Sequence, residues 1–78
     1  MSDTTQGSRT LKAWLDDGRT NRRTFADLCG VSRQAVHRWE SGEARPSAKQ
    51  QHRIAHLTSD AVRVVDWLTA AERVEVTR

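Results

Sequence analysis

The stretch RRTFADLCGVSRQAVHRWES, Arg22 to Ser41, constrains the fold of this chain more than any other segment. It reads as two short amphipathic helices joined around one glycine. Gly30 sits where the chain must turn sharply, and a left-handed backbone is cheapest at a residue without a Cβ. Ala26, four residues earlier, is small where two helices must approach closely. Phe25, Leu28, Cys29, Val31, Val36 and Trp39 recur at spacings that give each helix one buried face and leave a polar, basic outer face.

Capping chemistry extends this pattern in both directions. Leu11, Trp14 and Leu15 stand at the i, i+3, i+4 spacing of one apolar face, so a first helix is expected from about Arg9 to Asp17, stopped by Gly18. Asn21 is placed to cap a second helix over Arg22 to Cys29, and Ser32 a third that runs to Ser41-Gly42. Ser47-Ala48-Lys49-Gln50 has the form of a capping box for a fourth helix ending near Leu57, anchored by Ile54 and Leu57. Gln51 falls where that face calls for an apolar residue. In the tail, Ala61, Val64, Val65 and Leu68 fit a helix, while Val62 and Val64 alternate like a short strand. The expectation is an extended piece at Ala61 to Val64, a turn at Asp66 to Leu68, and a short last helix capped by Thr69-Ala70-Ala71-Glu72.

With 78 residues the chain has material for one domain with one small core. The expected organisation is a disordered lead-in over residues 1–8, a helical unit carrying the helix pair over 9–58 and a C-terminal tail over 59–78. The opening MSDTTQGS lacks the basic start and apolar segment of a secretory signal, and no apolar run approaches the ~18 to 20 residues of a membrane span, so a cytoplasmic protein is expected. Cys29 is the sole cysteine and reads as a small buried hydrophobe. Net charge is +3, unevenly spread: Met1 to Ser59 hold ten Lys or Arg against six Asp or Glu, while Asp60 to Arg78 hold three against four. The positive field therefore belongs to the segment with the helix pair.

The residues Thr24 to Ser47, TFADLCGVSRQAVHRWESGEARPS, resemble the DNA-binding core of the phage repressor and Cro-like family, the Xre-type helix-turn-helix. His52 to Leu68, HRIAHLTSDAVRVVDWL, is similar to the end of small Cro-like regulators. The resemblance spans Leu11 to Leu68. It implies an all-α, lambda-repressor-like bundle of four or five helices, binding of duplex DNA as a dimer, and transcriptional control of a nearby operator.

Groove geometry assigns parts to individual residues under that resemblance. A recognition helix reaches base edges from its N-terminus and outer face, which here means Ser32, Arg33, Gln34, His37 and Arg38. Arg33 and Arg38 suit guanine O6 and N7, and Gln34 suits adenine N6 and N7. Arg22, Arg23 and Arg45 are expected to hold phosphates and so to position the reader. Asp16 and Asp17 oppose the helix dipole and repel phosphate, so that end should face away from DNA. One reader helix buries too little surface for high specificity alone, which favours a homodimer with Val62, Val64, Trp67 and Leu68 of the tail as its interface.

Other chemistries find little support. His52 and His56 have the i, i+4 spacing of a metal clip, but Arg53 lies between them and neither an adjacent glutamate nor a third ligand accompanies them. No nucleophile elbow, phosphate loop or paired carboxylates appear, so neither an enzyme, a cofactor nor a small-molecule substrate is expected. The competing reading is an antitoxin-like or adaptor module that binds a protein partner through its tail.

Overall fold

Thr5 opens the first ordered helix, because its Oγ1 accepts the backbone N–H of Ser8 at 3.3 Å. The computed structural model describes residues 5–69 and residue 72. Among these the chain forms helices α1 (Gln6–Asp16), α2 (Arg22–Cys29), α3 (Arg33–Ser41) and α4 (Ala48–Leu57), followed by a 3-10 turn over Val64–Trp67, with no strand. The all-α class expected from the sequence is what the described residues adopt.

Three of the four starts lie where capping chemistry places them. Asn21 Oδ1 accepts from Thr24 N–H at 2.7 Å, Ser32 Oγ from Ala35 N–H at 3.2 Å and Ser47 Oγ from Gln50 N–H at 3.3 Å. Between α2 and α3, Gly30 takes the left-handed conformation at φ 73°, and Val31 N–H reaches back to Ala26 C=O at 3.0 Å. That wrap turns the chain within two residues. Gly42 closes α3 in the same way at φ 84°.

The first start differs from expectation. Residues 6–8, expected in the disordered lead-in, form the first turn of α1, with Gly7 and Ser8 buried; residues 1–4 of that lead-in lie outside the described residues. The cause is Trp67, whose indole lies so close to Gly7 that an added Cβ would sit 2.5 Å from its Cδ2. A flat aromatic face against bare backbone needs glycine there.

The core holds Leu11, Leu15, Phe25, Ala26, Cys29, Val36, Trp39, Ile54, Val62 and Trp67, with Trp14, Val31, Ala44 and Leu57 packed around it. Trp14 and Phe25 meet at a tilted 57° with ring centroids 5.8 Å apart. Leu28, assigned to the buried face of α2, instead stands 49% exposed. Burial raises the Cys29 thiol above its ordinary pKa, which keeps it protonated and inert.

The tail belongs to this same core. Ser59 and Asp60 adopt left-handed backbones at φ 53° and 65°, and Val62 N–H donates to Thr58 Oγ1 at 3.1 Å, so the chain folds back at once instead of running on as an extended piece. Val62 and Trp67 are both fully buried, which leaves no seam between residues 9–58 and the start of the tail. Thr69 and Glu72 exchange the capping bonds read from the sequence, at 2.9 and 3.2 Å. The body of the short last helix lies outside the described residues.

Candidate nucleic-acid interface

The two faces of α3 are sharply divided. Val36, Trp39 and Glu40 point inward, while Ser32, Arg33, Gln34, His37, Arg38 and Ser41 are exposed. α1 and α2 both pack against α3 from behind, so the outer face is presented on a rigid support. Ser32 spends its hydroxyl on the cap, but Arg33, Gln34 and Arg38 engage no side-chain partner among the described residues. Arg33 and His37 form one i, i+4 row, and Gln34 and Arg38 another. Gln34 and Arg38 border a cleft of about 210 Å³ whose floor includes Ala35, Trp39 and Ala44.

Behind the reader lies a charge cluster that the sequence reading missed. Glu40 is buried, its side chain only 6% exposed, and the Arg22 guanidinium clamps its carboxylate through Nε at 3.0 and 2.9 Å and Nη2 at 2.6 Å. The same Nη2 donates to Asp16 Oδ1 at 2.6 Å, and Asp16 also receives Lys12 Nζ at 2.9 Å. One guanidinium thus ties the end of α1, the start of α2 and the end of α3. These bonds, to Glu40 first and then Asp16, hold Arg22 more firmly protonated than a free arginine, and they keep the Asp16 carboxyl below the ordinary range.

Arg22, expected at a phosphate, is held within the chain by these bonds. Its Nε and Nη2 are committed inside the protein, because a carboxylate buried at position 40 requires a cation. The signal for it was present in the sequence: Glu40 follows Val36 by four residues and so shares the face that the apolar pattern assigns to the core. His37 Nδ1 stands 3.9 Å from Glu40 Oε2, at the open edge of this cluster.

The remaining expected contacts divide as follows. Arg23 is exposed and has no side-chain partner among the described residues. Arg45, in the loop after α3, is also exposed and meets the Glu72 carboxylate at 3.1 and 3.3 Å. Val62 and Trp67, expected at a dimer interface, are fully buried within one chain and offer no surface to a second; Val64 and Leu68 remain half-buried. His52 and His56 are exposed on α4, and no group of three ligating side chains forms among the described residues. No helix there is long and apolar enough to cross a membrane.

A family model described as helix-turn-helix matches residues 11–57, well over half of the chain. The chain belongs to the helix-turn-helix family. The match agrees with the Xre, lambda-repressor-like resemblance carried by Thr24 to Ser47, and makes this helix-turn-helix protein a member of a DNA-binding regulator family. It runs from Leu11 through α4, leaving the first turn of α1 and the tail outside. Comparison with curated proteins and with solved structures gives no match.

Proposed function

We propose that this helix-turn-helix protein is a sequence-specific transcriptional regulator, a Cro-like repressor that places residues 32–41 in the major groove of an operator and binds as a homodimer. On this reading it works in the cytoplasm, associated with the nucleoid when bound, and carries out no catalysis. Ser32, Arg33, Gln34, His37 and Arg38 contact bases, with Arg33 and Arg38 suited to guanine and Gln34 to adenine. Arg23 and Arg45 hold phosphates. The observation that carries the reading is the outer face of α3, where Arg33, Gln34 and Arg38 are exposed and uncommitted while the inner face is locked into the core. Long polar side chains held free on a rigid helix are what base readout needs.

The test is binding at fixed salt to duplexes selected by the wild-type protein. Arg33→Ala and Gln34→Ala should each relax preference at one base pair by ~1 to 3 kcal/mol. Unchanged binding and preference in both variants would refute the role of α3.

Dimer formation follows from area, since a single small module buries too little for high specificity. Two copies set their readers one helical turn apart. With Val62 and Trp67 inside the core, half-buried Val64 and Leu68 are the two of the four expected interface residues left to form the contact. Sedimentation should show a two-to-one complex on a palindromic site, and a one-to-one complex would contradict it. The same burial takes Val62 and Trp67 out of the surface an adaptor-like tail would use.

A further inference from the structure

The loop that follows the reader carries a cation with an anion of the chain already on it. Arg45 Nη1 donates to Glu72 Oε1 at 3.1 Å and lies 3.3 Å from Oε2. Glu72 is itself held: its backbone N–H donates to Thr69 Oγ1 at 3.2 Å, and its Oε1 accepts the Thr69 N–H at 2.9 Å. That reciprocal cap fixes the carboxylate in front of the guanidinium. The two side chains are 42% and 43% exposed, so the pair is open to solvent. A cleft of about 150 Å³ bordered by Thr5, Ser8, Gly42, Ala44 and Arg45 opens beside them. Carboxylate and phosphodiester look alike to a guanidinium, since each offers anionic oxygens to its planar fork of N–H groups.

We infer that Glu72 is a built-in competitor for the DNA backbone, its carboxylate occupying the phosphate position at Arg45 in the free protein and giving way to a phosphodiester on binding. The inference rests on the phosphate role proposed for Arg45. An exposed ion pair is weak, so the competition lowers affinity by a small factor, about 1.5- to 5-fold. Salt screens the pair, so the penalty is largest at low ionic strength and fades as salt rises. The tail thereby acquires a regulatory handle: whatever draws Glu72 away from the loop raises affinity for DNA of any sequence.

The test compares the full-length wild type, Glu72→Gln, Arg45→Gln and the double variant on one random-sequence duplex across a salt series. Glutamine at position 72 keeps the cap, because this capping position accepts Gln as well as Glu, and removes only the charge. Glu72→Gln should bind about 1.5- to 5-fold tighter at low salt and show a steeper fall of log K with log salt. The gain should vanish when Arg45 is also replaced. No gain from Glu72→Gln, with the double variant binding more weakly than Glu72→Gln alone, overturns the competitor and leaves the phosphate role of Arg45 standing. An equal gain with and without Arg45 also overturns it, as an effect of overall charge. If the double variant binds as tightly as Glu72→Gln, Arg45 holds no phosphate and both readings fall together.

Discussion

Replacing Gly7 by alanine probes a contact that joins the two ends of the fold. An alanine Cβ at this position would lie 2.5, 2.7 and 2.9 Å from three carbons of the Trp67 indole. Carbon atoms rest about 3.5 to 4.0 Å apart, so the overlap is roughly 1 Å against a rigid ring. Trp67 is fully buried and has no free space to retreat into. Overpacking of this kind costs about 1 to 3 kcal/mol, and the helix preference of alanine over glycine offsets about 0.5 to 1 of it. The expected net loss is up to about 2.5 kcal/mol, about 1 kcal/mol at the centre of both ranges, which lowers Tm by roughly 4 to 8 °C for a domain of this size. Urea unfolding followed by circular dichroism measures it. Repeating the substitution in a Trp67→Leu background removes the ring, and there Gly7→Ala should be neutral or stabilising. Wild-type stability or better for the single variant would mean that the start of α1 does not lie on Trp67.

Three further outcomes follow from the same packing. Arg22→Met strands the buried Glu40 carboxylate and should destabilise by about 1 to 3 kcal/mol in urea unfolding, largely recovered by adding Glu40→Leu; an unaltered midpoint in the single variant would show the clamp to be idle. The folded-state pKa of Asp16 is depressed by Arg22 and then Lys12, so its contribution is present above the ordinary carboxylate value near pH ~3.9 and lost as pH falls through the lower folded value. Asp16→Asn should therefore flatten the acid limb of stability against pH, and an identical limb would contradict it. Val62→Ala should cost about 1.5 to 3 kcal/mol without changing the association state by sedimentation, whereas altered association at full stability would return Val62 to an interface.

The parts of the fold legible in the sequence are those fixed by chemistry close along the chain. Asn21, Ser32 and Ser47 each cap the N–H three residues on, and Gly30 and Gly42 release helices through their own backbone, so α2, α3 and α4 could be bounded by reading locally. The exposed row on α3 followed from the same periodicity. What escaped reading depends on partners far away in sequence. Nothing near Gly7 announces burial, because Trp67 supplies it. Leu28 matches the apolar pattern of α2 yet stands in solvent, since periodicity gives a face its direction but not its width. The clamp of Arg22 on Glu40 joins residues eighteen apart, and no local pattern pairs them. Arg45 and Glu72 meet across 27 residues, and only a folded tail brings them together.

Arg22, Val62 and Trp67, expected to meet a partner, all make contacts within the chain, and no departure from the sequence reading touches the outer face of α3. Selection of binding sites from random duplex DNA by the full-length protein tests that face most directly. The account predicts a palindromic motif with half-sites one helical turn apart, in which Gln34→Ala relaxes a single A·T position and Arg33→Ala a single G·C position in each half. Recovery of unenriched sequence, or an identical motif from all three proteins, would contradict it.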